Sequence, residues 1–156
     1  MALIEADRGA PVYAEGEVEV DADAEAVWHV VAGIDRYAAW NPDIRDVSIH
    51  GPIAEGTTFR WKAGPGTITS TIRRVEAPRV LAWTGTTLTI KAIHVWKLEP
   101  ADGRARVRLE ESWHGLLARM FRGSFRKTVQ KAVDTGLAAL KSEVERSGSR
   151  PGGAVV

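Results

Sequence analysis

Cysteine is absent from the 156-residue chain, which excludes a disulfide framework, a thiolate zinc site, an iron–sulfur cluster and a thiol nucleophile. Net charge is nearly absent too. Lys and Arg number 21 against 20 Asp and Glu, a balance of +1, so no global field draws the chain to nucleic acid or to an anionic surface. No stretch approaches the roughly 18 apolar residues of a membrane span. The Met1–Glu5 start has neither the basic flank nor the apolar run of a signal peptide, and a cytoplasmic location is expected. His29, His50, His94 and His114 are scattered without metal-ligand spacing. No GxGxxG, Walker loop or GxSxG elbow occurs. Neither metal nor cofactor is expected. Tyr and Phe are scarce, at two and three residues, yet Trp occurs six times, and where those indoles point is the main question.

The composition, 44% hydrophobic and 26% charged, is that of a globular domain. Residues 12–20 (VYAEGEVEV) alternate, with Val12, Ala14, Gly16, Val18 and Val20 on one side and Tyr13, Glu15, Glu17 and Glu19 on the other. Period two with one polar face marks a half-buried antiparallel strand. Asp21 to Glu25 then open a helix, where acids suit the N-terminal dipole. A second short helix over Asp35–Trp40 stops before Pro42. From Ile44 to Gly115 turn residues divide the chain into six strand-like runs, at 44–50, 57–63, 67–76, 79–86, 88–99 and 104–114. Residues 116–146 return to helical spacing through Leu117, Phe121, Phe125, Val129, Leu137, Leu140 and Val144.

This order predicts an α+β fold. Residues 1–11 read as an N-terminal extension, 12–146 as the domain, and the Gly/Ser/Pro-rich 147–156 as a disordered tail. Glu15, Glu17 and Glu19 on the first strand complement Arg104, Arg106 and Arg108 on the last. Opposite charges facing across a strand pair stabilise it by roughly 0.2–1 kcal/mol each, so the terminal strands are expected to pair and curl the sheet around the long helix. The same pairing argues against nucleic acid as a partner, because a phosphate-binding face should not carry a row of glutamates.

Ala24-Glu25-Ala26-Val27-Trp28 opening a helix, then Tyr37-x-x-Trp40-Asn41-Pro42, resembles the START-like or Bet v 1-like (SRPBCC) superfamily. Gly56-Thr-Thr-Phe59, Val75-Glu76-Ala-Pro78-Arg-Val-Leu81-Ala-Trp83, His94-Val-Trp96-Lys-Leu98 and Glu110-Glu111-Ser-Trp113-x-Gly115 are similar to its polyketide cyclase/dehydrase branch. The resemblance spans about residues 13–146. It implies a helix-grip fold: a seven-stranded antiparallel sheet curled around a long C-terminal helix, two short helices after the first strand, and an apolar cavity between sheet and helix. Members bind lipids, sterols, polyketides or other hydrophobic molecules, and some are enzymes.

Strand parity sends Ala105, Val107, Leu109, Glu111 and Trp113 inward, with His94 and Trp96 inward on the preceding strand. If Pro100–Gly103 forms a four-residue hairpin loop, Glu99 pairs with Arg104 and His94 lies opposite Leu109, diagonal to Glu111. His94 and Glu111 are then a satisfied structural pair, polar anchors for a ligand, or an acid/base pair. The same parity turns Trp61 with Phe59, and Trp83, Trp96 and Trp113, toward the helix, with Trp40 near by. The helix is expected to add Met120, Phe121 and Phe125 to this inner face. Its Arg119, Arg122, Arg126, Lys127 and Lys131 form either a solvated face or a basic lip for an anionic head group, a lipid surface or a protein partner. Three functions follow. The first is binding of a hydrophobic small molecule. The second is an aromatase/cyclase or dehydratase using His94 and Glu111, against which few polar groups point inward. The third is a protein-interaction module using the basic helix face.

Overall fold

A computed structural model of the chain describes residues 3–148. The elements run β1 (Val12–Val20), α1 (Ala24–Val31), a 3-10 turn (Ile34–Arg36), α2 (Tyr37–Trp40), β2 (Arg45–Ile49), β3 (Thr58–Ala63), β4 (Gly66–Glu76), β5 (Val80–Thr87), β6 (Ile90–Ala101), β7 (Arg104–His114), α3 (Leu116–Met120) and α4 (Arg122–Gly148). The seven strands form one antiparallel sheet in the order β1-β7-β6-β5-β4-β3-β2, curled around α4 in a helix-grip α+β fold. The Asp23 side chain starts α1 by accepting the Ala26 N–H at 2.9 Å, which satisfies one of the free donors of the first turn.

The terminal strands pair as the charge stripes require. Glu17 faces Arg108 and Glu19 faces Arg106. Glu15 faces Glu110, a like-charge pair relieved by Arg108, which reaches Glu15 at 2.6 Å and Glu110 at 2.7 Å. On the inner face α4 presses close to β1. A Cβ on Gly16 would stand 2.7 Å from the Leu137 side chain, so glycine here sets the helix–sheet distance.

Residues 3–11, expected as an extension ahead of the domain, pack across the outer face of the sheet. Ile4 and Ala6 cover Val80, Ala82 and Val95. Glu5 bridges Arg74 at 2.7 Å and Lys97 at 2.9 Å. Desolvation raises the Glu5 carboxyl, but Lys97 and Arg74 outweigh it and hold the group below the ordinary range. The Asp7 N–H donates to Ser112 Oγ at 3.0 Å, and the Asp7 carboxylate meets His114 at 3.1 Å. This strap explains why Glu110 and Ser112 are buried although they point away from α4.

Three expectations are corrected. The β6–β7 loop is the two-residue turn Asp102-Gly103, with Ala101 opposite Arg104 and φ of 52° and 79°, the geometry of a type I′ hairpin. The register moves by two residues, so faces are kept while His94 comes directly opposite Glu111. The helix over 116–146 is broken at Phe121, where φ is −117° and ψ is 34°. Ser147 and Gly148 belong to α4; the rest of the expected tail lies outside the described residues.

At the join of β7 and α3 the chain turns on Gly115 with φ +117°, and a Cβ there would lie 1.9 Å from the Thr89 carbonyl oxygen. Both the conformation and the space require glycine. Gly115→Ala is expected to destabilise the fold by about 2–5 kcal/mol, from strain plus overpacking. Gly123→Ala in α4 meets nothing within 4 Å and should be neutral or stabilising by up to about 1 kcal/mol. Urea unfolding of the two variants checks the contrast; equal effects would remove the assignment.

Candidate functional site

The inward rows of the sheet and the facing side of α4 enclose a cavity of about 940 Å³. Phe59 and Trp61 reach it from β3, Trp83 from β5, Trp96 from β6, Trp113 from β7 and Phe125 from α4. Period-two alternation is the cause: each indole sits two residues from another inward side chain on its own strand. The rings brace one another. Phe59 meets Trp83 edge-on at 5.3 Å between centroids, and Trp113 meets Phe125 edge-on at 5.3 Å. The Trp61 N–H donates to the buried Ser70 hydroxyl at 3.0 Å.

His94 and Glu111 supply the polar end. His94 Nδ1 lies 3.3 Å from one Glu111 oxygen, and the Trp113 indole N–H donates to the other at 2.8 Å. The imidazole is stacked on Trp83 at 4.4 Å with planes 6° apart. Burial raises the Glu111 carboxyl, but the His94 partner and the Trp113 N–H outweigh it and hold it below the usual carboxylate range. Glu111 is therefore the anion that accepts the Nδ1–H. With Nδ1 engaged by Glu111, Nε2 is the ring nitrogen left over. Among the described residues His94 Nε2 and the Trp96 indole N–H are buried and have no hydrogen-bond partner. Such orphans are rare in folded proteins and costly.

Not every residue expected at the site reaches it. Trp40 packs edge-on against Tyr37 at 5.0 Å and stays out of the cavity wall. Met120 and Phe121 are 62% and 50% exposed; the helix break turns them outward, whereas unbroken periodicity would place them inside. Residues that the parity reading missed include Ile34, Asn41 and Gly136, all of which line the cavity. The only signal for Gly136 was a glycine on an apolar helix face, where absent bulk makes room. Tyr37 is buried in the wall and donates its hydroxyl to the Val31 carbonyl at 2.5 Å. Burial raises its phenol strongly, and the Trp96 N–H opposes that shift without hydrogen-bond geometry. Neither Arg60 nor Arg74 enters. Arg74 follows a register shift in β4 and lies under the N-terminal strap against Glu5 and Glu76. No group of metal-ligating side chains occurs among the described residues, and no described helix is long and apolar enough to cross a membrane.

A depressed carboxyl stabilises the fold above its unfolded value, about pH 4.3 for glutamate, and that stability is lost as pH falls through the lower folded value. Glu111→Gln keeps the shape and one acceptor oxygen but cannot titrate. Its unfolding free energy, measured in urea across the acid range, should therefore fall less steeply below about pH 4.3 than that of the parent. Identical slopes would mean that Glu111 is not held as the anion.

Comparison with known proteins agrees with this geometry. No curated protein sequence matches the chain. Among solved structures, a hypothetical protein from Helicobacter pylori is similar over 92% of this chain and 99% of its own, with TM-score 0.78 and 17% identity. The Zhui aromatase/cyclase from Streptomyces sp. R1128 matches over 90% and 97%, with TM-score 0.74 and 23% identity. A START superfamily protein from Mycobacterium smegmatis matches over 86% and 97%, with TM-score 0.72 and 17% identity. At these identities the likeness concerns the fold. The family model described as polyketide cyclase/dehydrase and lipid transport matches residues 12–145, nearly the whole described chain, and the protein belongs to that family.

Proposed function

We propose that the chain binds a hydrophobic small molecule, of lipid, sterol or polyketide-like character, whose one polar oxygen sits at the His94 end of the cavity. The observation that carries this reading is the aromatic and aliphatic cavity of about 940 Å³ with the His94–Glu111 pair in its wall, the form of a site that takes an apolar body and orients it by a few polar groups.

One arrangement favours a second reading, the aromatase/cyclase or dehydratase. An anionic Glu111 beside an imidazole in a cavity wall is the pairing that general acid/base catalysis uses. In that case His94→Ala would abolish turnover of a polyketide-like carbonyl compound while binding persisted. Unchanged turnover would remove the role.

Titration of intrinsic Trp fluorescence with a panel of fatty acids, sterols and aromatic polyketides tests binding, because four indoles line the space. At least one class should quench saturably and give a matching mass by native mass spectrometry. Gly136→Met should lower its affinity about tenfold or more by filling the cavity. That variant should fold, since a Cβ at Gly136 meets its neighbours at an ordinary 3.7 Å. A panel that leaves fluorescence unchanged, or a Gly136→Met protein that binds as the parent does, would overturn the reading.

A further inference from the structure

The basic row on β7 is neutralised by carboxylates, whereas the cations around the cavity mouth are not. On the outer sheet face Arg74, Arg104, Arg106 and Arg108 each reach a carboxylate. Between Ser112 and Val133 no acidic residue occurs, while Arg119, Arg122, Arg126, Lys127 and Lys131 all fall there. These five are exposed, and none has an ion-pair partner among the described residues.

Beside these cations stand side chains that folding ordinarily buries. Leu88, Leu116, Met120 and Phe121 are 88%, 63%, 62% and 50% exposed. Leu88, at the β5–β6 turn, also lines the cavity. Helix α3 is tied to that turn, with Gly115 against the Thr89 backbone and the Leu117 N–H directed at Thr89 Oγ1 at 3.4 Å. Leu117 lines the cavity from the same helix, and Phe121 leans on the lining Phe125 at 6.1 Å. The exposed apolar residues therefore border the opening, on two linked elements, with unpaired cations on the adjoining turns of α3 and α4.

We propose that this rim docks on an anionic phospholipid bilayer, with Leu88, Leu116, Met120 and Phe121 entering the headgroup–acyl boundary and Arg119 and Arg122 meeting phosphates. Interfacial segments have this composition, bulky apolar residues flanked by Arg and Lys. The mouth would then face the acyl region, so an apolar ligand enters or leaves without crossing water. A second copy of the chain is a poor occupant, because a two-fold contact would set the same unpaired cations against themselves. An acidic protein explains the cations but not the protruding leucine, methionine and phenylalanine.

Co-sedimentation with phosphatidylcholine vesicles containing phosphatidylglycerol should capture the parent protein, and pure phosphatidylcholine should capture far less. Replacing both Arg119 and Arg122 by Gln should weaken binding roughly thirtyfold, at about 1 kcal/mol per charge. Met120→Ser with Phe121→Ser should also release the protein, without changing its Trp fluorescence titration with the ligand panel. Both positions are solvent-exposed, so circular dichroism should report an intact fold. No capture by either vesicle overturns the proposal. So does binding lost in the Arg variant but unchanged in the Ser variant, the behaviour of a purely electrostatic contact. A stable dimer in sedimentation velocity that the Ser variant dissociates would assign the patch to a second copy instead. These outcomes are independent of whether the cavity binds anything in solution.

Discussion

The pairing of the first strand with the last is the constraint from which the other features follow. Once β1 lies beside β7, the chain between them must close into a single curled sheet, and only the concave side can receive α4. The charge rows make that register specific. A slip of one residue along β1 would carry Glu17 and Glu19 to the face now held by Val18 and Val20, and would bring valines against arginines. The one like-charge contact, Glu15 against Glu110, is resolved by a shared guanidinium rather than by moving the strand. Screening by solvent limits what each exposed pair contributes to stability. Their larger effect is selection among alternative pairings.

That closure also explains where polarity can enter the interior. Inward positions on β6 and β7 are aliphatic or aromatic except at His94 and Glu111, which the two-residue hairpin brings into direct register. An unpaired buried carboxylate would be strongly destabilising. Here each carboxylate oxygen has a partner, one at His94 and one at Trp113. The stack on Trp83 fixes the imidazole plane. The pair is thus self-sufficient on its inner side and unsatisfied on the other, at Nε2. The outer face shows the contrast: there the N-terminal strap supplies partners for Arg74, Lys97 and Ser112.

Much of this was legible from alternation alone. Period two depends on only one residue in each strand being placed correctly, so the inward rows containing Trp61, Trp83, Trp96 and Trp113 survived errors in strand ends. The β6–β7 register did not, because it hangs on turn type. Asp102-Gly103 carries a type I′ signal, and counting Pro100 and Ala101 into the loop displaced His94 from Glu111 by two positions. The strap escaped notice for a different reason. Ile4 and Ala6 alternate with Glu5 and Asp7 over too few residues to distinguish an edge segment from an exposed tail. The cavity volume had no signature in composition, since the same four indoles could have filled the space they surround.

The misplacement of Met120 and Phe121 has its own meaning. Helical periodicity turned them inward because burying such side chains is worth about 1.5–3 kcal/mol each, and the chain forgoes that gain by breaking the helix at Phe121. The break is not forced by a missing hydrogen bond, since the Phe121 N–H still reaches the Leu117 carbonyl at 3.0 Å. Nor is it a failure of packing, because Phe125 one turn later is held against Trp113. Local rules in proteins are most often violated where a surface has a task besides folding. Here the violation falls at the cavity mouth, beside cations that have no carboxylate partner among the described residues, while the basic row on β7 is neutralised by its neighbours. Apolar exposure and charge exposure coincide at one edge, and that edge is where the interior opens.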